Sequence, residues 1–377
     1  MSKNPVLKPF ATSLNTPEGF WLGFVASAST IPGILVSLPA SSLSDVFGRR
    51  KVLLAAAVVF ASAPFLYLLI TVWWQLILVR FYHGFATAIF VPVAQAFVAE
   101  QFPTKRGERI SVFSSVTAVG RAVAPFLGGY ILFQTNYSYY TLYLAVGVAG
   151  VTSLVTALLF LAGRRGSAVS EGDSNGALVK MVRGWGGVAW NRGVLLVSFV
   201  QASQYYVYGA VEYFFVGYLT EVVRMDPFLI GIVMGSQIVV VILFQPFLGR
   251  FSDRVGRRVP IVLGSVIAGL PLLVIPFSLQ FPALLLLSIV YGFGFATVTA
   301  ATPALVSELV PSELVGTSLG FLSMIMDVGQ TLGPIVTGII LATVYGYEGS
   351  FVALTIVLIA VGIIFGASQI GRKTSKA

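Results

Sequence analysis

Long apolar runs separated by short polar turns recur along nearly the whole chain. A helix needs about 20 apolar residues to cross a bilayer core. Runs of that kind lie at residues 20–40, 52–72, 76–98, 110–133, 141–162, 193–220, 227–248, 259–280, 283–305, 317–344 and 350–370. These eleven segments predict an all-α membrane protein; several contain Gly or Pro, which membrane helices tolerate. Only residues 163–192 break the rhythm. The stretch GRRGSAVSEGDSNGA reads as a polar tether. LVKMVRGWGGVAW mixes Lys180 and Arg183 with Trp185 and Trp190, as a segment lying on a membrane surface would. Gly184, Gly186 and Gly187 argue equally for an unstructured tether. The expected organisation is an N-terminal half at 1–162 with five spans, a linker at 163–192, and a C-terminal half at 193–377 with six.

Composition agrees with the pattern. Of 377 residues 57% are hydrophobic and 10% charged, against about 25% charged in a soluble domain. The mean hydropathy is +0.92. Cysteine is absent, so thiol chemistry does not enter. The net charge of +9 has a topological explanation. Arg49, Arg50, Lys51, Lys105, Arg106, Arg109, Arg164, Arg165, Arg257, Arg258, Arg372 and Lys373 all fall on one side of the predicted bundle, which the positive-inside rule makes cytoplasmic, C-terminus included. Trp73, Trp74, Tyr137, Tyr139 and Tyr140 mark the other interface. Basicity therefore orients the chain in a plasma membrane among lipids, and no nucleic-acid partner is implied. No phosphate-binding G-x-x-x-x-G-K-[ST] loop and no Cys/His cluster occur, so neither ATP-driven pumping nor a metal site is expected. Residues 1–17, interrupted by Lys8 and two prolines, do not read as a signal peptide.

A charged turn appears twice. SSLSDVFGRRK at 41–51 and GRFSDRVGRR at 249–258 place Asp45, Gly48, Arg49 and Arg50 in register with Asp253, Gly256, Arg257 and Arg258 at one constant offset. Within two residues of that offset, Glu100 and Pro103 match Glu308 and Pro311. Gly120, Pro125 and Gly129 match Gly329, Pro334 and Gly338, and 85–87 matches 295–297 (Phe-Ala-Thr in both). The chain reads as a parallel duplication, an arrangement that puts a binding site near mid-membrane between the halves. In each turn the Gly relieves backbone strain, and the Asp can pair with the arginines or a helix end.

Polar residues inside spans locate the candidate site. Gln201, Tyr205, Tyr208 and Glu212 form one helical stripe bordered by Gln204. Ser323, Asp327, Gln330 and Thr331 form a second, just before Gly333-Pro334. Charge is costly inside a membrane, so such stripes should face a wet cavity. Glu212 is the first candidate for proton or cationic-substrate binding and Asp327 the second. The competing reading is an acid paired to a neighbouring helix. Arg80 and Arg121 are embedded cations. Arg80 marks a pathway or snorkels to the interface, while Arg121 can neutralise a carboxylate. His83 is expected to be a packed, hydrogen-bonded residue.

These motifs resemble the major facilitator superfamily over residues 18–370. Its hallmark loop, G-x-L-x-D-R-x-G-R-R, is met with Ser41 and Val46 as departures in the first copy and Phe251 in the second. The resemblance implies that both loops act as latches favouring one facing state. Arg80 in RFYHGFATA matches an arginine tied to proton transfer in the drug–proton antiporters of that superfamily. The stretch 120–129, GRAVAPFLGG, with Gly120, Arg121, Pro125, Gly128 and Gly129, resembles the fifth-helix antiporter motif that accompanies export, with Ala124 replacing a glycine. Small residues there and at Gly329, Gly333 and Pro334 let helices cross closely. The family has twelve helices. Its first would precede Asn15, where only NPVLKPFATS stands for a last turn or two, so the sequence is expected to begin late. The implied activity is proton-coupled export of small amphipathic or drug-like compounds by a monomer without cofactors, powered by a proton gradient. The alternatives are an uptake symporter or facilitator for a sugar or organic acid, and a non-transporting membrane scaffold.

Overall fold

The computed structural model describes residues 4–36, 44, 48–101, 106–161, 188, 190–311 and 314–368. Asp45, Pro103 and most of the 163–192 linker lie outside the described residues. The chain forms two groups of helices. The first holds α1 (Asn4–Ser13), α2 (Phe20–Ser27), α3 (Arg49–Leu68), α4 (Trp73–Gln101), α5 (Arg106–Gln134) and α6 (Tyr139–Leu161). The second opens on a rod in three parts: α7 (Arg192–Ala210), a π-helical turn (Val211–Phe215) and α8 (Val216–Glu221). It continues with α9 (Pro227–Val255), α10 (Arg258–Val274), α11 (Phe281–Glu308), α12 (Val315–Leu341) and α13 (Gly346–Ala367).

Ten helices among the described residues, with Arg192–Glu221 counted as one, are long and apolar enough to cross a membrane. The eleventh expected span, 20–40, begins as α2 but is interrupted by a turn at 28–30 before helix resumes at 31–36. Pro32, at the second position of the restart, supplies the reason: it lacks an amide and its ring crowds the preceding turn. Thr30 Oγ1 fills part of the gap by donating to Ser27 O at 2.8 Å.

Local chemistry sets other boundaries. Asn191 caps α7, its side chain accepting from the amides of Gly193 and Val194 at 2.9 and 3.2 Å. Asp226 caps α9 by accepting from Phe228 N at 2.8 Å, with Pro227 at the first helical position. The two charged turns share one backbone device. Gly48 has φ 89° and ψ 123°, and Gly256 φ 91° and ψ 155°, a region open essentially to glycine alone. These turns mark the basic end of the bundle.

Pairing of helices repeats between the groups. α3 packs on α4 and α6, and α10 packs on α11 and α13 in the equivalent way. The groups meet through α2 on α12 and α5 on α9, two contacts that a pseudo-twofold axis exchanges. In a bilayer apolar burial alone drives little association, so close backbone packing decides. α7 shows this against α12: a Cβ added at Gly329 or Gly333 would overlap the carbonyl oxygens of Ala202 or Tyr206. The same intimacy joins the groups. A Cβ on Gly23 would overlap Pro334 O, and one on Gly129 would lie 2.5 Å from Pro227 O.

α1 is a ten-residue helix whose Val6, Leu7, Phe10 and Ala11 face is buried. It packs against the π turn and α8 of the second group. Tyr213 and Phe214 from that turn join Val6, Phe10, Tyr67 and Tyr143 in one core. Their neighbours Val211, Phe215 and Val216 belong to the core of the second group. The π turn thus serves two cores at once.

Candidate functional site between the two helical groups

All the contacts between groups named above lie from mid-bundle to the end away from the basic turns. Near the middle, Ser27 Oγ donates to Thr331 O at 2.5 Å, and the hydroxyls of Thr30 and Thr331 lie 2.7 Å apart. Toward the far end follow Gly23 on Pro334, Gly19 on Gly338 and Gly231 on Pro125. Tyr130 and Phe133 pack on Phe228, with ring centroids 6.1 and 6.5 Å apart. The far end is therefore sealed by helix–helix packing.

Tyr205 and Tyr208 on α7 and Glu212 on the π turn carry part of the predicted polar stripe. Tyr205, Tyr208 and Glu212 are half-buried. Tyr208 O–H donates to Glu212 Oε1 at 2.6 Å. Phe295 of α11 lies 5.3 Å from the Tyr205 ring and stacks on Tyr208 at 5.1 Å. Gln201 and Gln204 turn elsewhere and are buried. Gln201 Oε1 accepts from Thr302 Oγ1 at 2.5 Å, and Gln204 Nε2 donates to Ser265 Oγ at 3.2 Å, both inside the second group. On α12, Asp327 and Gln330 are half-buried, while Thr331 Oγ1 donates back to Asp327 O at 2.8 Å.

The embedded cations behave differently from each other. Arg80 is 5% exposed and donates through Nε to Val25 O at 2.6 Å and through a terminal nitrogen to Ala26 O at 2.6 Å and Ser29 Oγ at 2.8 Å. It satisfies carbonyls freed where α2 stops, an assignment that sequence spacing does not reveal. His83 packs edge-on against Phe60 at 5.6 Å. Arg121 is exposed and makes no hydrogen bond or ion pair among the described residues. Gly120, its neighbour, has open space around it, whereas Pro125 and Gly129 form the tight crossing with α9.

At the basic end, Arg257 makes the contacts expected of the second charged turn. It pairs with Asp253 at 2.5 Å, donates to Ser252 Oγ at 3.1 Å, and binds Glu308 Oε1 through Nε and a terminal nitrogen at 2.9 and 2.7 Å. Glu308, noted in the sequence only as half of a repeat, is thereby the acid tying α11 to the turn. In the first copy Arg50 stands over the Phe97 ring at 5.8 Å. Among the described residues no group of His, Cys, Asp and Glu is arranged to hold a metal ion.

Helices of membrane-spanning length and a duplicated helix pairing define a multi-pass membrane protein. The family model of the Major Facilitator Superfamily matches residues 4–222 and 194–375, and the chain belongs to that superfamily. It is 25% identical to a multi-drug resistance efflux pump PmrA homolog of Lactococcus lactis, covering 87% of this chain and 82% of that protein. It is 27% identical to the multidrug resistance protein MdtG of Citrobacter koseri, covering 88% and 80% respectively. Its fold matches the crystal structure of a bacterial homolog to the human lysosomal transporter Spinster with a TM-score of 0.79 at 15% identity, over 97% of this chain and 92% of that one.

Proposed function

We propose that this protein is a secondary active exporter that exchanges protons for small amphipathic or drug-like compounds by alternating access. It works as a monomer in the plasma membrane, with its basic end and C-terminus in the cytoplasm. One observation carries the reading. Glu212, bonded to Tyr208 beside the Phe295 ring, and the half-buried Asp327 are carboxylates inside membrane-spanning helices, and the contacts described between the two helical groups run from mid-bundle to the far end. A carboxylate so placed can hold a proton or a cationic solute, one displacing the other as the groups rock. The efflux pumps among its relatives favour the outward direction.

The test uses the purified chain in proteoliposomes with an imposed pH gradient and ethidium as solute. Export predicts solute movement against proton flow, and Glu212→Gln should abolish the coupling while the protein remains folded by size-exclusion and melting profiles. Solute moving in the same direction as the protons would instead identify an uptake symporter.

A further inference from the structure

The side chain of Lys8 ends in a place shaped for a cation. Its ammonium donates to Glu221 Oε1 on α8 and stands over the ring of Tyr347 on α13, 5.5 Å from the centroid. That ring is fixed from two sides: its hydroxyl donates to Glu221 Oε2 at 2.6 Å, and the Tyr218 ring packs on it at 5.6 Å. A carboxylate beside an aromatic face recognises an organic ammonium, the acid by a charge-assisted hydrogen bond and the ring by its quadrupole. Gly217, one turn before Glu221, gives the aliphatic stem its path. A Cβ there would overlap Lys8 Cδ and lie 2.6 Å from both Lys8 Cε and the Tyr347 hydroxyl. The stem thus runs directly on the α8 backbone, in a slot one methylene chain wide.

The acid and the ring belong to the second helical group and the lysine to the first. Parting of the groups at the far end withdraws the ammonium and leaves its receptor open in the gap. Glu221 also keeps a solvent-facing side while Lys8 is buried, so the approach to the acid is open even before the lysine leaves. We propose that Glu221, Tyr347 and Gly217 form a second solute site, an exit station for unbranched primary ammonium compounds, which Lys8 fills as a tethered stand-in while the far end is shut. A departing ammonium displaces Lys8, removes the tie between the groups and so opens its own way out. This rests on the solute leaving at the far end, the export reading above. The slot selects a linear amine, because a branched head would meet the α8 backbone where Gly217 leaves only a chain's width.

The experiment first empties the slot. Lys8→Ala removes the equivalent of a propylammonium ion, and thermal unfolding of the full chain in lipid nanodiscs is followed as propylammonium chloride is added. The melting temperature should rise saturably, with a midpoint of order 10 mM for one carboxylate and one ring face. n-Propanol should give no such rise, and tert-butylammonium should bind roughly 10-fold more weakly. Adding Glu221→Gln should weaken propylammonium about 10- to 100-fold, the effect of a hydrogen bond to a charged group. No rise in Lys8→Ala, a rise that survives loss of the acid, or equal binding of tert-butylammonium would overturn the proposal.

The unaltered protein supplies the second measurement. Dansylcadaverine, which carries a linear primary ammonium, should enlarge the longer-distance population between spin labels at Thr71 and Leu279, exposed turn residues of the two groups. Its N-acetyl form should not. Distances that ignore dansylcadaverine, or respond equally to both forms, would overturn the exit role. If propylammonium binds through Glu221 but a pH gradient drives no ethidium flux, the site stands and the export reading fails. If the flux is present and propylammonium does not bind, only the exit site fails.

Discussion

Lys8 and Glu221 join the two helical groups at the far end. Lys8 Nζ donates to Glu221 Oε1, the other oxygen accepts from Tyr347 O–H at 2.6 Å, and Nζ stands 5.5 Å from the Tyr347 ring. The Lys8 side chain is 4% exposed and that of Glu221 38%, so losing the acid strands a buried cation, whereas losing the lysine leaves an acid that water can reach.

The pair must break for the far end to open. Glu221→Gln should therefore weaken closure by about 1.5–3 kcal/mol, the range for a hydrogen bond to a charged group, and Lys8→Met by less. Spin labels at the exposed turn residues Thr71 and Leu279, one in each group, read the result as a longer-distance population. Unchanged distance distributions in Glu221→Gln would show that the pair does not hold the end shut.

Arg80 is tied to the carbonyls at the end of α2, so its removal should be felt there first. Arg80→Gln should cost about 1.5–3 kcal/mol of stability for each charged contact not replaced. Faster hydrogen exchange confined to residues 25–30 is the expected readout. Intact protection of that turn, with proton exchange lost, would mean that the arginine acts in coupling instead.

The crossing of α7 and α12 tolerates no added carbon. Gly333→Ala forces Tyr206 O to move, and a cost of roughly 1–3 kcal/mol is expected from overpacking. Gly249→Ala, where a Cβ meets nothing within 4 Å, serves as the neutral control. Thermal unfolding in detergent compares the two.

Gly48 and Gly256 make the same prediction by a different route. Neither demand comes from crowding at Gly48, where a Cβ would find open space. It comes from φ near +90°, and Ala at either position should cost of order 1–3 kcal/mol. Melting temperatures of the two single variants should fall by similar amounts.

Much of this architecture is legible from residue patterns. Spans follow from apolar length, the duplicated pairing from the repeated Asp-Gly-Arg-Arg turns, and Tyr205, Tyr208 and Glu212 from their shared helical face. What escapes is contact between residues remote in the chain. Lys8 reads as a charge in a short polar leader, because nothing near it announces a partner 213 positions away. Gln201 and Gln204 share the polar stripe, yet neighbouring hydroxyls on α10 and α11 claim them. Arg80 bonds backbone carbonyls, groups that every residue possesses and no sequence pattern displays. Pro32 did carry a readable warning of the break in the 20–40 span.

The π turn at Val211–Phe215 has a mechanical consequence. Below it, α7 is locked to α12 through Ala202, Tyr206 and Gly209; above it, α8 is fastened to α1 through Glu221. A rod gripped by a different neighbour at each end must yield somewhere, and a turn holding one surplus residue is the softest place available. Winding that residue back into ordinary helix would swing α8 through about 100°, one residue's share of a 3.6-residue turn. Glu212 rides on this swivel, so whatever it binds is geared to the far-end closure, and amides 211–215 should exchange with deuterium ahead of those on either side.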